Sequence, residues 1–311
     1  MSNLILHHYP NSPFAEKIRA ILGYKKLAWK SVMIPAVMPK PDLTALTGGY
    51  RRTPVLQIGS DIYCDTAIIV DVLERIAPEP SLFPAGQQGL VTNLAQWADT
   101  TLFWTAVTWA FQPAGAKAIL GQMPAEQAQV FRDDRAAMRG GAVGIGLAEA
   151  SAALPQYLQR LENILQDGRS FLFGTAPSLA DFSCYHPLWF VHKLALVPEV
   201  GVVLEGVPLV RAWLQRMLAI GHHQFDKMRS EEALSIAASS SSAVLDAGQS
   251  QLHGIALGDQ VQIMPSDYGL DPVQGELVLL QANEMALRRH DARAGMVVVH
   301  FPRIGFQIKK I

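Results

Sequence analysis

A serine stands directly before a proline in "HHYPNSPFAEKIRAIL", where an apolar run gives way to a helical pattern. Pro13 suits the first helical position, where a missing N–H costs nothing, and Ser12 suits the cap before it. Ser12 therefore has two readings: a helix cap alone, or a hydroxyl aimed at a bound anion. Tyr9, at the strand end, is a second candidate hydroxyl or part of a pocket wall. Thr53-Pro54 also reads two ways. A trans bond starts an edge strand, whereas a cis bond leaves the N–H and C=O of Thr53 outside the ladder. Its place before "VLQIG" favours cis. Asp65-Thr66 opens a further helix and can cap it. The same pair can hold an ammonium through Asp65, and a carboxylate through Thr66 and the helix N–H groups. Arg51 and Arg52 are either solvated or partners for a second carboxylate.

The elements that position these residues fall into three blocks. Residues 1–78 alternate strand and helix: "NLILHHY", "PFAEKIRAILGYKK", "AWKSVMIP", "TPVLQIG", "DIYCD" and "TAIIVDVLERI". In the first helix Ile18, Ile21 and Leu22 share a face with Phe14, while Glu16, Lys17, Arg19 and Lys25 do not. The order β-α-β, β-β-α is that of a thioredoxin-like α/β domain. "APEPSLFPAGQQG" is a linker. Residues 89–228 are helical in period, with "NLAQWADTTLFWTAVTWAF" one long helix, and predict an all-α domain. Residues 235–251, "SIAASSSSAVLDAGQSQ", read as a tether. Residues 246–311 hold short β-like runs divided by Gly, Pro and Asp, and predict a small β-barrel.

The 311 residues carry 26 Lys and Arg against 27 Asp and Glu, so no charge excess points to nucleic acid or an anionic membrane. The last block is also balanced, which argues against a strong grip on nucleic acid. Residues 1–77 alone are mildly basic, a setting that suits an anionic ligand. Cys64 and Cys184 form no CxxC, which points to a reducing, cytoplasmic setting without disulfides or a thiolate zinc site. The N-terminus does not read as a signal peptide, and no apolar run reaches membrane-spanning length. The histidines show no ligand spacing, so no metal is expected. "RGGAVGIG" follows a helix rather than a strand and lacks Gly-Lys-Ser/Thr, so it is a helix break and not a phosphate loop. Ser178-x-x-Asp181 has capping-box spacing and a structural role. Phe103, Trp104 and Trp109 are mainly core residues, with one or two free to line an apolar pocket.

Over roughly residues 1–225 the chain resembles the glutathione S-transferase family. "YPNSPFAEKIR" is similar to the stretch that carries that family's active-site hydroxyl or thiol, with Ser12 at the Ser/Cys position of its "SPF" variant. "RRTPVL" resembles the family's segment with a cis proline. "CDTAII" resembles the acid-hydroxyl pair opening its next helix, and "SLADFSCY" its capping box. Nothing in the family pattern explains the residues after about 246.

The resemblance implies a homodimeric, cytoplasmic detoxification enzyme that activates the glutathione thiol for attack on an electrophilic or hydrophobic small molecule. Ser12 would be the catalytic hydroxyl and Tyr9 the runner-up, with Phe14, Arg52, Thr53, Pro54, Asp65 and Thr66 contacting the tripeptide. Glutathione would be a co-substrate, with no metal, nucleic acid or membrane involved. Moving a thiol pKa from about 8.5 to 6.5 needs about 2.7 kcal/mol. A hydroxyl bonded to the anion supplies roughly 1.5–3 kcal/mol and a helix N-terminus roughly 0.3–1, so no general base is required. Serine at position 12 disfavours thiol–disulfide exchange. The alternatives are a glutathione-binding stress or regulatory protein without catalysis, and a partner-binding protein acting through the C-terminal barrel.

Overall fold

The computed structural model describes residues 3–142, 144–242, 247–248 and 254–311. Part of the expected tether, Val143 of the glycine cluster, and the first two residues lie outside these. The first domain runs β1 (Ile5–His8), α1 (Pro13–Tyr24), β2 (Trp29–Met33), α2 (Pro41–Thr47), β3 (Val55–Ile58), β4 (Asp61–Cys64) and α3 (Thr66–Ile76). β1 pairs parallel with β2 and antiparallel with β3, and β3 pairs antiparallel with β4. This is the thioredoxin-like arrangement. Ile18, Ile21 and Leu22 of α1 are fully buried, as their spacing predicts. The charged residues of α1 hold the surprise: Glu16, Lys17 and Arg19 are buried as well. The helix has packed neighbours on both sides, the sheet and the second domain, so its polar face has no solvent to meet.

The second domain is all helical: α4 (Gln88–Trp97), a π turn at Ala98–Leu102, α5 (Phe103–Ala110), α6 (Pro113–Leu120), α7 (Ala125–Arg139), α8 (Leu147–Leu165), α9 (Leu179–Lys193), α10 (Pro198–Gly201), a 3-10 turn, and α11 (Pro208–Ile220). Buried α9 runs through its middle against α1, α4 and α5. Its start is held by the expected capping box. The Asp181 carboxylate accepts from the Ser178 N–H at 2.8 Å and hydroxyl at 2.7 Å. It also takes the Trp213 indole N–H at 2.9 Å, which ties α11 to the same point. The long aromatic helix continues from α4 to α5 through the π turn, with helical backbone at both junctions.

After α11 the chain returns to the first sheet. β5 (Phe225–Met228) pairs parallel with β2, so the helical domain ends earlier than its periodicity suggests. The expected tether begins as α12 (Ser230–Ser239), not as coil. Ala233, Leu234 and Ala237 are buried, and the Gln57 amide donates to the Ala233 carbonyl at 2.8 Å. These contacts stabilise a Ser/Ala helix that would be marginal alone. A short β6 (Ala247–Gly248) follows, then β7 (Gln260–Pro265), β8 (Val273–Leu280), β9 (Glu284–Asp291), β10 (Gly295–Pro302) and β11 (Phe306–Lys310).

The C-terminal strands lie in the order β11-β7-β8-β9-β10. Laid flat, β10 and β11 would stand about 19 Å apart. The three residues between them reach roughly 14 Å at most, so the unit must curl. The Phe301 and Phe306 rings sit 5.5 Å apart, with Tyr50 against both. This small β unit is a continuation of the first domain's sheet. β10 pairs parallel with β4, Val298 opposite Asp61 and His300 opposite Tyr63. Val261, Leu277, Val299 and Phe301 share one apolar core with Ile5, Val55, Ile62, Leu43 and Tyr50 of the first domain.

The joint contains a buried charge cluster. His300 faces the Glu284 carboxylate through Nδ1 at 2.7 Å and the Asp61 carboxylate through Nε2 at 3.1 Å. An ionised carboxylate only accepts, so a ring facing two of them is held best as an imidazolium, with both nitrogens donating. Burial pushes the His300 pKa down, but the bonds to Asp61 and Glu284 outweigh it and leave it raised. Burial pushes Glu284 up, and its bond and attraction to His300 leave it lowered. A raised histidine stabilises the fold fully below about pH 6.5, its unfolded pKa, and loses that contribution as pH rises through the folded value. The lowered Glu284 contributes above about pH 4.3 and loses it on acidification through its own folded pKa. Urea unfolding should therefore show the cluster's contribution peaking between those limits. His300→Ala should lose about 3–5 kcal/mol at pH 6 and flatten the alkaline decline. An unchanged alkaline decline in the variant would contradict the assignment.

Candidate functional site

Strand register brings the separated motifs together. His7 lies opposite Val55, and Val55 opposite Cys64. The end of β1, the start of β3 and the end of β4 are therefore neighbours at one end of the strands. The Ser12 segment follows the first, Thr53-Pro54 precedes the second, and Asp65-Thr66 follows the third. Residues some fifty positions apart meet because antiparallel pairing folds the chain back on itself.

Ser12 caps α1, its Oγ accepting from the Ala15 N–H at 3.2 Å, and is buried. The hydroxyl proton is left to donate. Thr53-Pro54 is cis, and Thr53 stands before the β3 ladder begins. Asp65 caps α3 by accepting from the Ala67 N–H at 2.9 Å. Its φ of 96° is a conformation that a non-glycine residue rarely adopts, at a cost of about 1–3 kcal/mol. Burial pushes its carboxyl above the ordinary range, with nearby Arg52 acting in opposition. Thr66 is buried, and its oxygen faces the Lys17 ammonium at 3.4 Å, which leaves its proton to donate elsewhere. Phe14 is half-buried against Phe103 and His186, with ring centroids 4.6 and 4.5 Å away. The Tyr9 carbonyl accepts from the Ser12 N–H at 3.3 Å, which holds the two candidate hydroxyl residues in one turn.

The arginines do not stand free. Arg51 pairs with Asp134 of α7 at 2.7 Å. Arg52 turns to the C-terminal unit, donating to the Asp267 carboxylate and the Tyr268 carbonyl. Its other side reaches Asp65 at 3.8 Å. Lys40, which no local pattern marks, enters the site: its ammonium donates to Thr53 Oγ1 at 3.2 Å and lies 5.9 Å from the Tyr9 ring centroid. Burial, then repulsion from Arg135, lowers its pKa to about 8.

Behind Ser12 the two domains are tied by charge. Lys17 and Asp99 pair at 2.6 Å, and Asp99 also faces His186 Nε2 at 2.9 Å. Burial would push the Asp99 carboxyl up, but Lys17 and His186 hold it low. Glu16 accepts from Arg19 at 2.7 Å and from the Tyr185 hydroxyl at 2.9 Å. Cys64 and Cys184 are buried, and burial drives both thiols well above their ordinary pKa, so neither is a ready nucleophile. Among the described residues no three His, Cys, Asp or Glu side chains gather as a metal site, and no helix is long and apolar enough to cross a membrane.

Residues 6–81 match the family model of the glutathione S-transferase N-terminal domain, and residues 146–216 that of the C-terminal domain. The crystal structure of a GST-like protein from Pseudomonas syringae is similar over the full length of both chains, at 44% identity and a TM-score of 0.81. The C-terminal β unit is included in that likeness. A glutathione S-transferase from Rhodospirillum rubrum F11 shares the fold at 21% identity and a TM-score of 0.52, over 68% of this chain and 86% of that one. FzlA from C. crescentus does so at 20% identity and a TM-score of 0.52, over 82% and 95%. No curated protein sequence matches the chain significantly.

Proposed function

Since the chain belongs to the glutathione S-transferase family, we propose that it binds glutathione at these converging strand ends and activates its thiol for attack on an electrophilic small molecule. The observation that carries the reading is Asp65, held in a strained backbone conformation beside the N-terminus of α3, with Thr66 next to it. A rare conformation at a helix mouth, with an acid and a hydroxyl side by side, suits the ammonium and carboxylate of a γ-glutamyl end. Thr53 beside the cis proline offers its backbone to the cysteinyl part, as an added strand would. The cysteinyl thiol then faces the cap of α1. Ser12 donates to the thiolate, and the N-terminus of α1 adds its partial positive charge. The sulfur forms the new bond to carbon while the leaving group departs with its electron pair, and the thiol proton is released to solvent. Lys40 joins the site as a cation that can meet a carboxylate near Thr53. A homodimer belongs to the same proposal.

Two measurements test it. Calorimetry should show glutathione binding that Asp65→Asn weakens at least about tenfold at pH 7, since a hydrogen bond to a charged group is lost. The ammonium needs ionised Asp65. Because that carboxyl sits above the ordinary aspartate range, affinity should fall on acidification sooner than an ordinary aspartate would dictate, and the Asn variant should lose this dependence. Equal affinity in the variant removes Asp65 from the site. Secondly, Ser12→Ala should return the bound thiol's pKa toward about 8.5 and cut kcat roughly ten- to a hundredfold, with glutathione affinity nearly unchanged. Thiolate absorbance reads this directly, and a pKa that stays put makes Tyr9 or the backbone the donor.

A further inference from the structure

We propose that the β7–β8 turn of the C-terminal unit forms the outer wall of the candidate site, and that Tyr268 there selects a planar aromatic second substrate. The inference rests on the glutathione reading above and deepens it.

The turn is fastened to both domains where they face each other. Arg52, beside Thr53, holds Asp267 through its carboxylate and Tyr268 through its carbonyl. The guanidinium also lies over the Tyr268 ring, 3.8 Å from its centroid. On the other side the Gly269 N–H donates to the Met138 carbonyl of α7 at 2.7 Å. Gly269 has a φ of 57°, a left-handed conformation that lets the turn make both contacts. Arg52 and Asp267 are thus positioning residues for Tyr268, with Arg52 reaching on to Asp65.

Tyr268 completes a line of rings. Its ring and that of Trp104 meet in a T-shaped contact at 5.1 Å and 83°. Trp104 meets Phe103 at 5.1 Å, and Phe103 meets Phe14 at 4.6 Å. Phe14 is two residues beyond Ser12. Phe103 is buried, while Phe14, Trp104 and Tyr268 are each only half-buried. Burial raises the Tyr268 phenol pKa, so it stays neutral and offers an uncharged ring. An electrophile carried on a planar ring gains offset or edge contacts along this line, and a small alkyl electrophile gains none.

The test compares S-methylglutathione with S-benzylglutathione on the full-length protein by calorimetry. The wild type should bind the benzyl conjugate at least about tenfold more tightly. Tyr268→Ala should lose most of that preference while binding the methyl conjugate within about threefold of wild type, which also shows that the variant is folded. Tyr268→Phe should keep the preference, since the ring and not the hydroxyl is at issue. A preference untouched in Tyr268→Ala, or lost equally in Tyr268→Phe, overturns the inference and leaves the glutathione reading standing. Failure of the wild type to bind either conjugate overturns the glutathione reading, and this inference with it.

Discussion

The parallel pairing of β10 with β4 is the constraint on which the rest depends. Without it β4 would be an edge strand, with a row of unpaired N–H and C=O groups inviting other chains. With it the ladder continues, beginning at the Val298 N–H bonded to the Ser60 carbonyl at 3.0 Å. The two units then share one apolar core, with Val299 and Phe301 in the same cluster as Ile62, Val55 and Tyr50. A β unit of some sixty residues is marginal alone and borrows its stability here. The same pairing sets where the β7–β8 turn emerges, and so brings Asp267 and Tyr268 within reach of Arg52.

A second consequence is electrostatic. α1 carries the cap that is central to the proposed chemistry, and it lies between two packed layers. Of its charged face, Lys17 and Glu16 meet Asp99 and Tyr185 of the helical domain and His222 just after it, while Arg19 pairs with Glu16. Breaking such a pair would leave a buried charge uncompensated, which is far costlier than losing a surface pair. The position of Ser12 is therefore fixed by contacts from both domains.

Local signals made much of this legible. Ser12-Pro13, Asp65-Thr66 and Ser178-x-x-Asp181 act over three or four residues, and their caps are where the spacing put them. The strands of the last block carried enough alternation and punctuation to be placed. What escaped has no local signature. β5, "FDKM", is short and mostly exposed and becomes a strand only by pairing with β2. α12 is built of serine and alanine, which read as a tether until the sheet supplies Leu234 and Ala237 with something to pack on. The partner of Arg52 lies 215 residues along the chain, and only the curl of the C-terminal strands delivers it. Lys40 is marked by nothing before its amine is seen beside Thr53.

Native-state hydrogen exchange tests most directly whether the C-terminal strands and the candidate site belong to one cooperative unit. The account predicts that backbone amides of β9 and β10 are protected to within about tenfold of those in β3 and β4, because strands of one ladder open together. Exchange of residues 284–302 that is orders of magnitude faster, with residues 55–64 still protected, would show a unit that unfolds by itself. That result would contradict both the shared sheet and the wall proposed for the site.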